Sequence, residues 1–273
     1  MTVSNPETQY LAVMREILHN GVDQFDRTGT GTREIWAPTI RADLAAGFPC
    51  LTTKEVRWQK AVAELLWMVR GGRKVSELHR LGVHYWDAWA DKSGDLGPVY
   101  GAQWRGWKTP GGAVDQLQQA VDSVRDAAHR GTPSRRIVVS AWNVGDLQEM
   151  RLPPCHLLFQ FGVQAPYLHC AVYQRSADWF LGVPFNLVMY GALTHMVAKI
   201  TGLEPGILQM QFGSAHLYSN HLDQAREQLG RQQHRLPALR ISDLVTSLDS
   251  AEPGDFLLVG YTHEPHIAAP ISV

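Results

Sequence analysis

The sequence predicts an α+β fold in one domain spanning residues 1–273, and three observations support this prediction. Hydrophobic residues make up 45% of the 273 residues, which is enough to bury a large core. Segments with helical spacing of apolar residues occur together with segments of strand-like, period-two spacing. No internal repeat and no Pro-, Gly- or Ser-rich linker divides the chain, so a second domain is not expected.

Three segments have the apolar spacing of helices. Residues 10–17 have this spacing, and Gly21 follows as a stop signal. Residues 59–69 are too apolar for a surface helix, so this segment is predicted to carry Glu64 into the interior. Helical spacing returns in residues 186–200.

Strand-like patterns occupy the middle of the chain. Residues 135–142 contain a β-branched run that is typical of a strand. Residues 157–163 and 168–176 alternate with period two and are joined by a short turn containing Pro166, which predicts an antiparallel hairpin. The glycine-rich segment 26–33 is predicted to be a loop.

Charge and cysteine content narrow the class of protein. The chain has 25 Lys and Arg against 26 Asp and Glu, so no overall field attracts nucleic acid or an anionic membrane. Its three cysteines are an odd number for a secreted disulfide scaffold, which favours a reducing compartment. The N-terminus lacks a signal-peptide pattern, and no apolar run approaches the ~20 residues of a membrane span. We therefore expect a soluble cytoplasmic protein that requires neither a membrane nor nucleic acid.

The segment LPPCHLLFQF places Cys155 between two prolines and a predicted strand, which would hold its thiol rigidly. A thiolate is a strong nucleophile, and a nearby cation such as Arg175 would lower the pKa of the thiol. A cysteine beside a histidine can equally be a small buried apolar residue, and Cys50 and Cys170 are interpreted in that way. The residue types alone leave both interpretations of Cys155 open.

Four arginines lie at predicted turns or strand ends, where guanidinium groups could bind phosphate oxygens. They are Arg27, Arg135, Arg136 and Arg175. Scattered surface charge is the alternative interpretation, and it fits most arginine pairs. Asn186 follows Pro–Phe at a predicted helix start and could be a helix cap. Its carboxamide could instead match the O4 acceptor and N3–H donor of uracil, a pair that cytosine presents in reverse.

The remaining polar and aromatic candidates are ambiguous from spacing alone. Trp86 and Trp89 are interpreted first as core aromatics. His216 and Tyr218 fit either interior polar groups or groups that bind a hydroxyl. His216 and His221 do not have the spacing of a zinc-binding pair on one helical turn, so no metal site is predicted.

Taken together, seven segments resemble thymidylate synthase in their order and separations. They are DRTGTGTR, ELLW, GDLGPVYGAQWR, SRRIVVSAWN, LPPCH, YQRSADWFLGVPFN and HLYSNH. The resemblance extends from about Gln9 to Val273. It implies a thymidylate synthase-like fold, in which a large mixed β-sheet is flanked by helices, and a homodimer in which the sheets pack back to back.

The resemblance also implies a reaction. Cys155 would add to carbon 6 of dUMP, so that carbon 5 attacks the methylene group of 5,10-methylenetetrahydrofolate. Glu64, Tyr100 and ordered water would manage the proton transfers. The products would be dTMP and dihydrofolate.

Binding roles follow from the same resemblance. The nucleotide phosphate would be held by arginines of both subunits, namely Arg27 and Arg175 from one and Arg135 and Arg136 from the other. Asn186 would read the uracil edge. Other nucleotide contacts would come from Ser176, His216 and Tyr218. Folate contacts would come from Lys54, Trp86, Asp178, Leu181, Phe185 and Val273, the last residue of a tail that closes over bound ligands.

Three positions depart from the family pattern. Ser214 stands at an expected aspartate and matches related phage deoxycytidylate hydroxymethylases, while Tyr85 replaces a small aliphatic and Glu55 a basic residue. Both reactions share an exocyclic methylene intermediate on carbon 5. Water added to that carbon gives 5-hydroxymethyl-dUMP and tetrahydrofolate, whereas hydride gives dTMP. A dUMP hydroxymethylase is therefore the alternative function, and Asn186 argues against a cytidylate substrate.

Two further classes must be considered. A nucleotide-binding homologue without catalysis would have no physical need for Cys155, Glu64 and Asn186 together. A cysteine hydrolase would need a third group to orient His156 as a base, and the sequence offers none.

Overall fold

The computed structural model describes residues 4–131 and 134–272 and confirms a mixed α+β architecture. The helices in these residues are α1 (Pro6–Asn20), α2 (Trp58–Val69), α3 (Val75–His79), α4 (Gly101–Gly106), α5 (Gln116–Arg130), α6 (Gly182–Thr201) and α7 (Leu222–Leu229). The strands are β1 (Val22–Gln24), β2 (Thr32–Trp36), β3 (Thr39–Asp43), β4 (Trp107–Thr109), β5 (Gly112–Val114), β6 (Val138–Ser140), β7 (His156–Gln164), β8 (Tyr167–Asp178), β9 (Glu204–Tyr218), β10 (Ala238–Ile241) and β11 (Phe256–Val259).

A seven-stranded sheet forms the centre of the molecule. Six of its strands lie in the order β1-β2-β9-β8-β7-β6. The remaining strand, β3, pairs with the first part of β9, and β2 pairs with the last part of β9. The β7–β8 pair is antiparallel, which confirms the predicted hairpin. The β8–β9 pair is parallel, so the sheet is mixed. None of the described helices is both long and apolar enough to span a bilayer.

Helix α6 begins four residues earlier than the sequence pattern predicts. It starts at Gly182 and includes Pro184 in its first turn, where a backbone N–H has no helical acceptor and proline costs little. Asn186 therefore lies inside the helix, and its interpretation as a helix cap is wrong. The helix ends at Thr201, and Gly202 follows it with a φ of 73° in the left-handed region, which glycine adopts without strain.

Helix α2 is buried along its second half and carries Glu64 into the interior, as predicted. Helix α4 packs closely against it at Gly101. A Cβ atom at Gly101 would lie 2.2 Å from the carbonyl oxygen of Met68, so only glycine permits this approach. The contact holds Tyr100, the residue before α4, close to the helix that carries Glu64.

Two strand boundaries differ from the sequence prediction. The predicted loop 26–33 ends at Gly31 because Thr32 begins β2, which pairs with β9. The predicted strand 135–142 is shortened to Val138–Ser140, the residues that pair with β7 at the sheet edge. In both places the strand boundary is set by pairing with a neighbouring strand. The local sequence pattern holds no information about that pairing.

Glu7 in α1 is completely buried and forms the anchor for the segment that leads to Lys54. Its carboxylate accepts hydrogen bonds from the backbone N–H and hydroxyl groups of Thr52 and Thr53, at 2.6 to 2.9 Å. Glu7→Gln replaces one carboxylate oxygen, which accepts hydrogen bonds, by an amide NH2 group, which donates them. This NH2 group would face donors of Thr52 or Thr53 and could not accept their hydrogen bonds. We expect it to lower the free energy of unfolding by about 3 kcal/mol.

Urea unfolding of the variant measures this effect. Glu16→Gln is the matched control, because Glu16 is an exposed residue of the same helix. A loss below about 1 kcal/mol in Glu7→Gln, within the range of ordinary surface substitutions, would contradict the anchoring role.

Candidate active site

Cys155 immediately precedes β7 and is held from two sides. Its backbone N–H donates to the hydroxyl oxygen of Tyr100 at 2.8 Å, and its carbonyl accepts from the backbone N–H of Arg175 at 2.8 Å. The guanidinium of Arg175 donates to the carbonyls of Pro153 and Pro154, both at 2.9 Å. The two prolines and Arg175 therefore fix the segment that presents the thiol.

The three thiols differ in their electrostatic surroundings. Burial raises the pKa of Cys50 and of Cys170 to about 12. Burial also raises the pKa of Cys155, but the charge of Arg175 and a hydrogen bond with Tyr100 oppose that shift. Cys155 is also more exposed than the other two. It is therefore the cysteine best placed to react as a thiolate.

Alkylation by iodoacetamide at about pH 8 should label Cys155 well before Cys50 or Cys170, and the rate should rise with pH as thiolate forms. Arg175→Gln removes the cation that lowers the pKa of Cys155, so alkylation of this variant should slow by about tenfold.

Peptide mass mapping against time measures both effects. Arg125→Gln is the control, because the Arg125 side chain is 42% exposed on α5 and forms an ion pair with Asp122. Equal labelling of all three cysteines, or an unchanged rate in Arg175→Gln, would contradict the electrostatic assignment.

Tyr100 connects Cys155 to the neighbouring aromatic cluster. Its φ of 28° is unusual for a residue other than glycine, and such strained backbone is often found at functional sites. Its ring stacks on His156 with the centroids 4.2 Å apart and meets Trp86 edge to face at 6.0 Å. Burial lowers the pKa of His156 to about 3, so its imidazole is neutral at physiological pH. This argues further against a cysteine hydrolase with His156 as base.

Glu64 is bonded through both carboxylate oxygens. Tyr85 Oη donates to Oε2 at 2.7 Å, and Trp86 Nε1 donates to Oε1 at 2.6 Å. Burial raises the pKa of Glu64 above its usual value, although the two hydrogen bonds act in the opposite direction. A carboxylate with a raised pKa can both accept and return a proton near neutral pH.

A cavity of about 390 Å³ lies beside Glu64. Its walls come from α2 and the segment before it, the start of α6, the side chains of Tyr85 and Trp89, and C-terminal residues between His266 and Ile271. Asn186 lines it, and the Asn186 Oδ1 accepts from Gln174 Nε2 at 3.1 Å. Gln174 is buried, so it fixes the orientation of the Asn186 amide. The cavity therefore combines apolar walls with the carboxylates of Glu55, Glu64 and Asp178 and one oriented amide.

The sequence model of the family described as Thymidylate synthase matches residues 8–273, almost the whole chain. The chain belongs to the thymidylate synthase family. The resemblance of the seven sequence motifs is thereby confirmed. Members of this family transfer a one-carbon unit to carbon 5 of dUMP and use methylenetetrahydrofolate as co-substrate. The protein is accordingly a transferase of nucleotide biosynthesis.

The residues expected to contact folate in this family are only partly brought together. Asp178, Leu181 and Phe185 line the cavity. Trp86 is 6% exposed and does not line it, whereas its neighbours Tyr85 and Trp89 do. Val273 lies outside the described residues.

Lys54 lines the same cavity, but its ammonium points inward. Its Nζ donates to the carbonyl oxygen of Phe180 and lies 3.5 Å from the ring centroid of that residue. Burial lowers the pKa of Lys54 to about 7. Two cations that the sequence analysis did not single out, Arg57 and Lys60, also line the cavity and are more exposed. Only the folded arrangement of α2 distinguishes them from ordinary surface charge.

The four arginines expected to bind phosphate in the thymidylate synthase family are not gathered within one chain. Arg175 lies beside Cys155. Arg27 is exposed on the loop before β2, and the Asp26 carboxylate stabilises this loop by accepting hydrogen bonds from the backbone N–H groups of Thr28 and Gly31. Arg135 and Arg136 are exposed before β6, and Arg136 lines a separate cavity of about 330 Å³. Ser176 lies in β8, one residue beyond Arg175.

The expected ribose-binding residues lie side by side on β9. The rings of His216 and Tyr218 meet edge to face, with centroids 5.3 Å apart. Ser214 Oγ donates to Glu34 Oε2 at 2.6 Å and lies 3.4 Å from His216 Nδ1. The carboxylate missing at position 214 is therefore supplied by Glu34 of β2. Glu34 has no signal in the sequence, because the pairing of β2 with β9 is not visible in the local pattern.

One cluster of metal-ligand side chains occurs within residues 4–131 and 134–272, and it comprises His79, His84 and Asp87. His79 Nε2 and Asp87 Oδ1 are already hydrogen bonded at 2.6 Å, and the side chains are largely exposed. None of the three lines the cavity beside Glu64. The expectation that the protein uses no metal remains a prediction.

Proposed function

We propose that the protein is a thymidylate synthase, which converts dUMP to dTMP while the folate is oxidised to dihydrofolate. The observation that carries the proposal is the connected set of Cys155, Tyr100, Trp86 and Glu64. One end of this set is a thiol beside a guanidinium, and the other is a buried carboxylate in the cavity wall. A reaction that needs a nucleophile and a proton carrier linked through one cluster of side chains fits this arrangement.

In the proposed mechanism Cys155 adds to carbon 6 of the uracil ring, and Arg175 stabilises its thiolate. The ring then has enolate character, so carbon 5 becomes nucleophilic. The bound folate supplies the methylene group and later the hydride. Glu64, with Tyr100 and ordered water, carries the proton removed from carbon 5. Expulsion of Cys155 from carbon 6 restores the aromatic ring and the free enzyme.

The nucleotide is held by groups from α6, β8, β9 and the loop before β2. Asn186 reads the O4 and N3–H edge of uracil, and the bond from Gln174 limits its orientation. Arg27 and Arg175 bind the phosphate from the same chain, and Ser176 supports the base and the phosphate. His216 and Tyr218 bind the deoxyribose 3′-hydroxyl, with Glu34 and Ser214 orienting His216.

The folate occupies the cavity of about 390 Å³. Asp178 binds the pterin ring, and Leu181 and Phe185 pack along its face, supported by Trp86 behind Glu64. Arg57 and Lys60, which are more exposed than the inward-pointing Lys54, provide positive charge for the glutamate tail, and Glu55 lines the same cavity. The C-terminal residues close the cavity, since Ile271 lines it and Ser272 Oγ accepts from Thr30 Oγ1 at 3.1 Å. Val273 completes the tail.

We further propose a cytoplasmic homodimer that forms through the open face of the central sheet. Val138, Leu158 and Tyr173 are apolar or aromatic residues exposed on neighbouring strands, and Leu158 lies directly opposite Tyr173. Arg135 and Arg136 stand at the edge of this face, where a second copy would carry them toward the other phosphate site. Sedimentation should therefore give about twice the 30.5 kDa mass of one chain.

The alternative product is 5-hydroxymethyl-dUMP, and the feature that favours it is Ser214 in place of aspartate. Glu34 places a carboxylate 2.6 Å from the Ser214 hydroxyl, so the local charge is retained while the sequence pattern changes. For this reason methylation is the leading proposal. A nucleotide-binding homologue without catalysis is the remaining alternative.

The proposal is tested by incubating the protein with dUMP and methylenetetrahydrofolate. Dihydrofolate is followed by absorbance and the nucleotide is identified by mass spectrometry. Equal amounts of dTMP and dihydrofolate are the expected result. 5-Hydroxymethyl-dUMP without dihydrofolate would overturn methylation, and an unchanged nucleotide would overturn one-carbon transfer as a whole.

A further inference from the structure

The proposed ribose-binding residues share one face of the central sheet with two carboxylates. Ser214, His216 and Tyr218 alternate along β9, so their side chains point to the same side of the sheet. Glu34 of β2 lies directly opposite His216 in the antiparallel β2–β9 pair. Asp178 of β8 is the partner of His216 on the other side. The buried imidazole of His216 therefore lies between carboxylates from two neighbouring strands.

The hydrogen-bond pattern assigns the proton of the His216 imidazole to one ring nitrogen. Burial lowers the pKa of His216, and the surrounding carboxylates only partly oppose that shift, so the ring is neutral and carries a single N–H. Ser214 Oγ gives its hydrogen to Glu34 Oε2 at 2.6 Å and presents a lone pair to His216 Nδ1 at 3.4 Å. Nδ1 therefore carries the proton, and Nε2 is a hydrogen-bond acceptor.

Tyr218 provides the complementary donor. Burial raises the pKa of Tyr218 to about 12, so its hydroxyl stays protonated at physiological pH. An acceptor nitrogen and a donor hydroxyl side by side match a sugar hydroxyl, which can both donate and accept. A nucleotide that lacks this hydroxyl would leave both groups unpaired, which costs binding free energy.

We propose that Glu34 is a positioning residue that selects nucleotides with a free 3′-hydroxyl, and that it replaces, from the neighbouring strand, the aspartate expected at position 214. The inference rests on the proposed binding of dUMP at this site. An aspartate at position 214 would accept from His216 Nδ1 directly, whereas here the Ser214 hydroxyl connects Nδ1 to the carboxylate of Glu34. Either arrangement leaves Nε2 as the acceptor for the sugar.

The two arrangements exclude each other. The Ser214 hydroxyl lies 2.6 Å from Glu34 Oε2, so a carboxylate at position 214 would face that of Glu34 at close range. Two like charges at this separation repel each other, and the added charge favours an imidazolium whose Nε2 is a donor. Restoring aspartate at position 214 should therefore impair nucleotide selection unless Glu34 is removed as well.

The test exchanges the two side chains. Glu34→Ser, Ser214→Asp and the double variant with both changes are compared with the wild type in calorimetric binding of dUMP and of 2′,3′-dideoxy-UMP, which lacks the 3′-hydroxyl. The preference for dUMP, expressed as the ratio of the two dissociation constants, should fall by about tenfold in each single variant. In the double variant it should return to within about threefold of the wild-type value. Affinity for the dideoxy nucleotide should stay unchanged throughout.

Two further variants complete the test. Glu204→Ser is the matched control, because Glu204 is an exposed carboxylate at the start of β9, and it should keep the wild-type preference. Ser214→Ala removes only the connecting hydroxyl and should lower the preference as Glu34→Ser does. It therefore tests the same connection if an exchanged variant fails to fold.

The results distinguish a failure of this inference from a failure of the proposed function. Wild-type preference in Glu34→Ser or Ser214→Ala would overturn the role of Glu34 while leaving one-carbon transfer intact. A double variant that combines the losses of both single variants would overturn the exchange. Equal loss of affinity for both nucleotides would indicate a general distortion and would also overturn the selective role. A wild type that neither binds nor converts dUMP would overturn the proposed function itself.

Discussion

Replacing Cys155 by alanine is expected to lower kcat for substitution at carbon 5 by at least about 10³-fold, because the reaction then has no nucleophile for carbon 6. The other two thiols cannot substitute, since burial raises the pKa of both Cys50 and Cys170 to about 12. The affinity for dUMP should stay within about threefold of wild type, because the arginines and Asn186 are unchanged. Turnover and calorimetric binding measure the two effects.

Cys50→Ala is the control for Cys155→Ala, as it removes a buried thiol remote from the Arg175 guanidinium. It should keep turnover near the wild-type value. Turnover by Cys155→Ala at the wild-type rate would contradict covalent catalysis. Nucleotide binding without turnover in the wild type would instead favour the homologue without catalysis.

Glu64→Gln is expected to lower kcat by about 10²- to 10³-fold, because an amide of the same size cannot accept a proton. Burial raises the pKa of Glu64, so wild-type kcat should fall on the acid side at a pH above the usual range of a carboxyl group. This acid limb should disappear in the variant. Release of tritium from carbon-5-labelled dUMP, followed against pH, measures the step directly.

Glu149→Gln controls for the loss of a negative charge, since the Glu149 side chain is 63% exposed and does not line the cavity beside Glu64. Its pH profile should match that of the wild type. Tritium release by Glu64→Gln with an unaltered rate and pH profile would assign the proton transfer to another group.

The elements of the core were predictable because their patterns are local. The buried half of α2 and the β7–β8 hairpin each follow from apolar spacing within one segment. The start of α6 was misplaced because the favourable position of Pro184 in a first helical turn gives no apolar signal. The limits of β2 and β6 depend on partner strands far away in sequence.

The residues of the candidate site also divide into those that the local sequence identifies and those that only distant contacts identify. Cys155, Glu64 and Asn186 stood out because their residue types and motif positions specify chemistry. Glu34 and Gln174 did not, because each acts through a side chain on another element. Their roles follow from strand register and helix packing, which a single sequence does not display.

A covalent bond between Cys155 and the uracil ring during one-carbon transfer can be detected by trapping the adduct. 5-Fluoro-dUMP with methylenetetrahydrofolate serves as the trap, because fluorine on carbon 5 cannot leave as a proton does and the reaction stops with Cys155 attached. Protease digestion and mass spectrometry then locate the bound nucleotide. One adduct is expected, on the peptide that carries Cys155. No adduct, or one on Cys50 or Cys170, would contradict the covalent role of Cys155.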